Sequence, residues 1–396
     1  MSQLVLIANP GSASRKYALY AGSRLLASLH FEYVEQKVLY SYNFNDESKN
    51  DLDAGVSHIA FVATKVMDIL RAIGAVDANQ KLDVVGLRVV APATHFQEHR
   101  ILDAKEITRL TELETRAELH INATLQEAEL LRAAFGGVPI IGASDSAFHA
   151  TKPQHASTYA ISQEDAKQAD VWRFGYHGLS VSSVVSSLKS AKHLPARMVV
   201  CHLGSGASVT AVLEGKSIDT TMGYSPLEGL VMSTRSGSID PTAVDVLADQ
   251  LDLSPKKIQH YLNANSGLKG LSGASDDIRE LLKLESSKHA GAKLALDSYV
   301  YHVQQAIGQM VAALGGIDGL VFTGTVGERS AEIRQRIVRK MLYLGIALNA
   351  KTNNDHELIV EPTVISQDRH PAVVMVVPTD EAASILQAVR SLTKDA

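Results

Sequence analysis

A strand–turn–strand pattern occurs twice in this chain, half a chain length apart, and it constrains the fold more than any other sequence feature. The first copy consists of an apolar run at residues 4–8, an Asn-Pro-Gly-Ser turn and an alternating run at residues 16–20. The second copy has an apolar run at residues 198–202, a turn at 204–208 and a returning run at 209–213. Such runs joined by a glycine-containing turn are typical of β-hairpins. The repetition predicts two related α/β halves.

Segments outside the two hairpins extend the same architecture. Short apolar runs bounded by turn residues predict inner strands at residues 83–90, 137–143, 319–323 and 372–377. Helical periodicity predicts helices at residues 106–135 and 290–314. Thr379 is the predicted N-cap of a last helix that runs to about residue 392. Strands that alternate with helices predict an α/β fold with mixed sheets.

Length and composition exclude several classes of protein. A chain of 396 residues exceeds what one hydrophobic core usually accommodates, so two domains are expected, with a boundary near Ala147. A net charge of −5 disfavours a nucleic-acid surface. The single cysteine, Cys201, excludes a disulfide framework and fits a reducing cytoplasm. Neither a signal peptide nor a membrane-spanning run is recognisable, so we expect a soluble cytoplasmic protein.

Three glycine-containing turns are candidate phosphate-binding loops. They lie at residues 9–14, 204–208 and 324–327, and each follows a predicted strand. A phosphate is bound by several backbone N–H groups that point the same way, and small residues allow the backbone to approach it closely. The alternative is that each is an ordinary turn. None of the three matches the Walker sequence, and the central one lacks the third glycine of a dinucleotide fingerprint.

A few polar residues stand where an anion could be held. Arg88 interrupts an apolar strand and therefore needs an anionic partner or a path to solvent, because an unpaired buried charge is costly. Arg235 lies among small residues that suit a bidentate grip on carboxylate or phosphate. Asp145 follows a predicted strand, where open α/β sheets place polar site residues. A structural ion pair for Arg88 and an exposed loop position for Arg235 are the alternatives.

Histidines offer weaker signals. His177 stands between Tyr176 and Gly178, and one of 15 histidines is more often structural than catalytic. His95 and His99 have the i,i+4 spacing of metal ligands, but no carboxylate pattern completes a site. We interpret these two as surface residues.

Four longer motifs resemble those of the acetate kinase family of short-chain carboxylate kinases. They are RFGYHGLS at residues 173–180, VCHLGSGASVTAV at 200–212, TTMGYSPLEGLVMSTRSGSIDP at 220–241 and VPTDE at 377–381. The resemblance covers nearly the whole chain. It implies the α/β fold of the superfamily of acetate and sugar kinases, Hsp70 and actin. That fold has duplicated actin-like (ribonuclease H-like) domains, each a mixed β-sheet flanked by helices, with an interdomain cleft. The implied domains are residues 1–147 plus 384–396 and residues 148–383, the second with the nucleotide site.

The resemblance also implies roles for matching positions. The implied catalytic residues are Arg88, Asp145, His177, Arg235 and His120. The implied acyl pocket consists of Val90, Leu119 and Pro226. The implied nucleotide- and phosphate-binding residues are Asn9, Ser12, Ser14, Lys16, His202, Gly204, Ser205, Gly206, Ser208, Asp277, Ile278, Arg279, Gly324, Thr325, Val326 and Gly327. Asn9 and Glu381 match the positions associated with Mg²⁺ or Mn²⁺.

The implied reaction is reversible phosphoryl transfer from ATP to acetate or propionate, which yields ADP and an acyl phosphate by direct in-line transfer. One methylene is worth only about 1–3 kcal/mol in an apolar pocket, so the sequence does not choose between the two acids. The resemblance further implies a homodimer. The net charge and the lack of a membrane-length apolar run lead us to expect binding to neither nucleic acid nor membrane.

Some donor-side positions depart from the family pattern, notably Ser205, Thr325 and Arg329. Thr325 places a branched side chain where the family has glycine, so the donor could be pyrophosphate or a nucleotide other than ATP; the alternative is that ATP is retained. Two other classes remain as alternatives, a non-catalytic phosphate or nucleotide sensor and a chaperone-like ATPase. The sensor would be expected to lack residues such as Arg88 and Arg235, which are present.

Overall fold

The structure is a computed structural model that describes residues 2–11, 14–34, 36–114, 118–354, 359–368 and 370–393, with side chains throughout except at 118–120. The chain divides into two compact units. The first comprises Met1–Ala147 and Asp380–Ala396, and the second comprises Phe148–Thr379. Each contains one mixed sheet flanked by helices, which confirms the predicted α/β class.

The strands are β1 (Leu4–Pro10), β2 (Ser14–Ala21), β3 (Arg24–Val34), β4 (Lys37–Phe44), β5 (Glu47–Asp53), β6 (Val84–Val89), β7 (Arg100–Ile101), β8 (Ile140–Ser144), β9 (Arg197–Leu203), β10 (Ala207–Leu213), β11 (Lys216–Thr220), β12 (Gly319–Thr323), β13 (Thr363–Val364) and β14 (Val373–Val376). The helices are α1 (Val66–Ala72), α2 (Ala104–Glu112), α3 (Glu118–Ala134), α4 (Gln154–Ser157), α5 (Gln163–Ala169), α6 (Gly178–Ser190), α7 (Pro241–Gln250), α8 (Pro255–Ala264), α9 (Gly267–Ser272), α10 (Ile278–Ser286), α11 (Ala290–Leu314), α12 (Gly324–Arg329), α13 (Ala331–Val338), α14 (Ala350–Asn354) and α15 (Glu381–Thr393).

In the first unit, helices cover both faces of a sheet with the order β5-β4-β3-β2-β1-β6-β8-β7. Leu6 and Leu87 point to one face, where they pack in a core with Leu131 of α3. The other face lies against α15, and a Cβ added to Gly86 would come within 2.8 Å of Ile385. Glycine is therefore required where β6 meets this helix. Since side chains alternate along a strand, Asn9 of β1 and Arg88 of β6 belong to the α15 face.

The second unit repeats this strand arrangement. Its sheet has the order β11-β10-β9-β12-β14-β13, with antiparallel neighbours on one side of β9 and parallel β12 and β14 on the other. The strands β3-β2-β1-β6-β8 of the first unit follow the same pattern. Apolar side chains of α6 pack on one face, and α11 packs against β9 and β10. The repeated hairpins of the sequence are thus β1–β2 and β9–β10.

Two sequence predictions about helices were wrong. The periodic segment 106–135 is two helices, because the N–H of Leu113 turns back to Leu110 and ends α2 with a tight turn. The last helix is capped by Asp380, whose carboxylate accepts the N–H of Ala383 at 2.9 Å, rather than by Thr379. The Thr379 hydroxyl instead donates to Ser180 at 2.8 Å. Within the described ranges, no helix has the length and apolar character to cross a membrane.

Candidate active site

Arg88 and Asp145 form a buried ion pair in the first unit. Nη2 of Arg88 donates to Oδ2 of Asp145 at 2.9 Å, and the aspartate side chain has no exposed surface. Burial lowers the pKa of Arg88, but the carboxylates of Asp145 and Glu381 outweigh it and hold the pKa above its ordinary value. Nε of Arg88 is buried and has no hydrogen-bond partner in the described part of the chain. The result is a fixed cation with an N–H available to an anion.

Asn9 and Glu381 meet at the end of β1. The side-chain amide of Asn9 donates to Oε2 of Glu381, in the first turn of α15, at 2.6 Å. Lys16 lies directly opposite Asn9 in the antiparallel register, so the two share a sheet face. The Ser14 carbonyl accepts the N–H of Gly11 at 2.9 Å. Of the predicted loop residues, Ser12 lies outside the described residues.

The donor set of Asn9 and Glu381 fits a magnesium ion that is shared with a substrate. Mg²⁺ prefers oxygen ligands and is usually held by one or two carboxylates together with substrate phosphates. No group of three or more His, Cys, Asp or Glu side chains that could hold a metal occurs among the described residues, so a metal cage made of protein alone is not found there. One carboxylate and one amide oxygen match the shared arrangement.

In the second unit, His177 is held at the start of α6. Its backbone is left-handed, with φ of 60°, which turns the chain into the helix. Nδ1 of its ring is 3.0 Å from the hydroxyl of Ser208. The ring also packs at 4.1 Å, centroid to centroid, against that of His202, whose Nδ1 is 2.7 Å from the hydroxyl of Ser180. The contact with Ser208 therefore fixes the orientation of the imidazole ring through Nδ1.

The glycine turn between β9 and β10 brings His177 and Arg235 together. A Cβ added to Gly206 would lie 3.0 Å from Nε2 of His177 and 3.5 Å from Nη1 of Arg235. Nη1 of Arg235 also donates to the Pro226 carbonyl at 3.3 Å, which anchors the guanidinium. The two side chains thus present nitrogen atoms beside the same backbone turn. This is a suitable arrangement for the oxygens of a phosphoryl group.

A second glycine turn adjoins the first through Gly204 and Gly324. A Cβ added to Gly204 would lie 4.0 Å from the Thr325 nitrogen, so the two turns are neighbours. Gly324 has φ of +77° and opens helix α12, which means that residues 324–327 form a helical turn rather than the predicted loop. The carboxylate of Glu328 explains this, because it accepts the N–H of Gly324 at 2.9 Å and that of Thr379 at 3.0 Å.

Comparison with known proteins decides the family. The model of the acetokinase family matches residues 4–387. This chain belongs to the acetokinase family. Acetate kinase 1 of Neisseria meningitidis serogroup B is 37% identical over 395 residues, covering 97% of this chain and 98% of the relative. The solved structure of a propionate kinase from Francisella tularensis has a TM-score of 0.86 at 30% identity, with 98% of each chain covered. That of Porphyromonas gingivalis acetate kinase has a TM-score of 0.83 at 30% identity, covering 99% of this chain and 100% of that one.

Three predicted nucleotide residues of this acetokinase-family chain lie at the start of α10. Asp277 caps the helix by accepting the N–H of Arg279 at 2.7 Å, and it pairs with the Arg279 guanidinium at 2.5 Å. The hydrogen bond from the Arg279 side chain lowers the pKa of Asp277. Ile278 is buried, whereas the Arg279 side chain is 86% exposed and can reach a ligand from solvent.

The predicted acyl pocket is described only in part. Val90 is buried in the first unit and Pro226 in the second. The side chains of Leu119 and His120 lie outside the described residues. Ser205, Thr325 and Arg329, which depart from the family pattern, all have exposed side chains.

Three other histidines have structural partners. Nε2 of His95 is 2.6 Å from Glu106, and Nδ1 of His99 accepts the N–H of Ser144 at 3.1 Å, so both histidines have protein partners. Both side chains are half-buried, and burial lowers the pKa of His99. His149 is fully buried between Ser217 and the carbonyl of Tyr176.

Sequence reasoning missed Glu328 and a buried group under the first loop. One local feature of the sequence could have indicated Glu328. Its carboxylate lies four residues after Gly324, a spacing of about one helical turn. The buried group consists of Arg15, Tyr17 and Glu127, and Glu127 is 110 residues from Tyr17, too far for any local pattern to join it to the other two.

Proposed function

We propose that this chain catalyses reversible transfer of the terminal phosphoryl group of ATP to acetate or propionate, which yields ADP and the acyl phosphate. The observation that carries the proposal is the convergence of His177 Nε2 and Arg235 Nη1 at Gly206. Membership of the acetokinase family and the names of its relatives, acetate kinase and propionate kinase, supply the substrates.

In this reaction a carboxylate oxygen attacks the terminal phosphorus while the bond from phosphorus to the bridging oxygen of ADP breaks. The carboxylate itself is the nucleophile, so no covalent enzyme intermediate is needed. Negative charge spreads over the three remaining phosphoryl oxygens, and catalysis is chiefly positioning and electrostatic stabilisation. Arg235 and His177 donate hydrogen bonds to those oxygens. An arginine in this role is worth about 10³–10⁵ in rate.

Arg88 binds the anionic acceptor in this scheme. Asp145 occupies its Nη2 and fixes the guanidinium plane, which leaves the buried Nε–H for a carboxylate or phosphoryl oxygen. Val90, Leu119 and Pro226 are the proposed walls around the acyl methyl group. His120 is proposed as a further catalytic residue from the family resemblance.

The remaining predicted residues are proposed to bind the donor. Asn9 and Glu381 would hold Mg²⁺ or Mn²⁺, which when bound neutralises charge on the donor phosphates. The proposed phosphate and nucleotide contacts are Ser12, Ser14, Lys16, His202, Gly204, Ser205, Gly206, Ser208, Asp277, Ile278, Arg279, Gly324, Thr325, Val326 and Gly327.

We further propose that the two units are the two actin-like domains and that the chain acts as a homodimer in the cytoplasm. Large apolar side chains on the second unit support self-association, since Tyr301, Leu342 and Tyr343 are 53%, 64% and 75% exposed. A molar mass of one chain in light scattering at assay concentration would contradict the dimer.

Hydroxylamine trapping of acyl phosphate tests the function. The wild-type protein, with Mg²⁺, is assayed with acetate, propionate and butyrate against ATP, GTP and pyrophosphate. Acetate or propionate with ATP should give the highest kcat/KM, and Arg235→Ala should lower kcat by about 10³-fold or more. Arg197→Ala is the matched control. Arg197 lies at the start of β9, pairs with Asp318 and has no role in the proposed reaction. Nucleotide binding without product would favour the sensor, and a higher kcat/KM with pyrophosphate would contradict ATP as donor.

A further inference from the structure

A buried charged group lies beneath the first glycine turn, on the sheet face opposite Asn9 and Lys16. Arg15 is 6% exposed and Glu127, from α3, is 1% exposed. Tyr17 donates its hydroxyl to Oε1 of Glu127 at 2.5 Å. Nε of Arg15 lies 3.6 Å from Oε2 of Glu127. The established fold places this group on β2 and α3, and none of its members has a role in the proposed reaction.

Stability is a poor explanation for these charges. At 3.6 Å the two atoms attract but do not form a hydrogen bond, and both are buried without a hydrogen-bond partner among the described residues. Burying two charges costs desolvation energy that an imperfect pair does not fully offset, and well-packed apolar residues often stabilise a fold as much or more. We therefore expect Arg15 to have a role other than stabilising the fold.

The other end of the Arg15 guanidinium contacts the backbone of the first glycine turn. Nη1 donates to the backbone carbonyl of Gly11, and it lies 3.4 Å from the carbonyl of Ser14. The N–H of Gly11 in turn donates to the same Ser14 carbonyl at 2.9 Å. The carbonyl groups of Gly11 and Ser14 thus both lie beside one buried cation. Glu127 lies beside the other end of the guanidinium, and Tyr17 is hydrogen-bonded to Glu127.

We propose that Arg15, held by Glu127, is a positioning residue that fixes the backbone of Gly11 and Ser14, the described residues on either side of 12 and 13, for binding the transferred phosphoryl group. The proposal rests on the proposed function and adds to it a support that touches no substrate. A turn that binds phosphate through its backbone must keep its N–H groups aligned, and ordering it in advance avoids the entropy cost of ordering it on binding. Arg15 performs this ordering through two carbonyl groups.

The double variant Arg15→Met/Glu127→Leu separates positioning from stability. It replaces the ion pair by apolar side chains of similar size, so the folded state should be retained. Hydrogen–deuterium exchange of the peptide spanning residues 9–17 should become about tenfold faster, because a hydrogen bond from a charged group to the turn is lost. In the direction from acyl phosphate and ADP to ATP, kcat/KM for acyl phosphate should fall about tenfold for the same reason. KM for ADP should stay within about twofold, since the nucleotide contacts are elsewhere.

Leu70→Ala is the matched control for destabilisation. Leu70 is 1% exposed in the same unit, on α1, and its truncation should lower stability by a cavity effect alone. It should leave both the exchange of residues 9–17 and kcat/KM for acyl phosphate unchanged. Arg15→Lys should give intermediate values, because one ammonium group cannot hydrogen-bond Gly11 and stay close to Glu127 in the way a guanidinium fork does.

A folded double variant with wild-type exchange and wild-type kcat/KM would overturn the proposal, and so would equal effects in Leu70→Ala. If the double variant fails to fold, Arg15→Lys decides the question, and unchanged exchange there would equally overturn it. The exchange measurement needs no activity. It therefore distinguishes a wrong assignment of Arg15 from a wrong reaction, which would show as absence of acyl phosphate with the wild-type protein.

Discussion

Two buried carboxylates of the first unit show how surroundings decide what a charged residue does. Asp145 lies 2.9 Å from Arg88 in hydrogen-bonding geometry, so its charge is compensated. Glu127 is as deeply buried, but its arginine is 3.6 Å away. Burial raises the pKa of Glu127 from 4.5 to about 7, although the Tyr17 hydroxyl and Arg15 oppose that rise. The first carboxylate is hydrogen-bonded to its cation, and the second is buried near its cation without such a bond.

The raised pKa predicts how stability depends on pH. A carboxyl whose pKa is higher in the folded state stabilises the fold fully below its unfolded pKa, and this contribution is lost as pH rises through about 7. Glu127→Gln lacks the titration, so its free energy of unfolding relative to wild type should rise between pH 4.5 and 8. The shift corresponds to roughly 3 kcal/mol. Urea unfolding at pH 5 and pH 8 measures the difference, and the same relative stability at both would contradict it.

At the scale of single elements, the position of Gly206 in the β9–β10 turn predicts how one substitution changes kcat. Gly206→Ala would place a Cβ 3.0 Å from His177 Nε2, so the imidazole must shift. At this distance the imidazole must move by a few tenths of an ångström. Since a displacement of about 1 Å at reacting groups can cost about 10²-fold, kcat should fall by up to about tenfold while the melting temperature changes little. Gly308→Ala on α11 is the control, because its nearest atom is 4.0 Å away. Steady-state kinetics of both variants measure the effect, and a Gly206→Ala enzyme with wild-type kcat would show that the turn is not beside the reacting groups.

Elements whose pattern is local were predictable from the sequence. Helix α11 and strand β12 have the predicted bounds, because each is a periodic or apolar run closed by glycine. The two hairpins were found for the same reason. The α2–α3 break was not predicted, since both helices continue one apolar periodicity and nothing in the sequence marks the turn at Leu113 that ends α2.

Contacts between distant segments were beyond sequence reasoning. Glu127 meets Tyr17 across 110 residues, and Asn9 meets Glu381 across 372. Nothing local in β2 indicates that Arg15 turns inward while Lys16 is exposed, because that depends on the register with β1 and on α3. The candidate residues of the site came from motifs, whereas the residues that hold them in place required the structure.

At the scale of the whole molecule, the chain crosses from the first unit to the second and then returns. Asp380–Ala396 belongs to the first unit, although the preceding Phe148–Thr379 forms the second. The returning helix α15 packs on β1, β6 and β8, and it carries Glu381 beside Asn9. The first sheet therefore depends on a segment that is synthesised after the entire second unit.

Truncation after Thr379 tests this dependence. It removes Ile385, Leu386 and Val389, each buried against the first unit. Burial of one such side chain is worth about 1.5–3 kcal/mol. The summed loss, of the order of 5–9 kcal/mol, is comparable with the whole stability of a domain, so the first sheet should unfold while the second persists. Hydrogen exchange should then show loss of protection in β1 and β6 but retained protection in β9 and β12. Removal of residues 394–396 alone is the control and should change neither. Equal protection of β1 in both proteins would mean that the sheet of the first unit is stable without its returning helix.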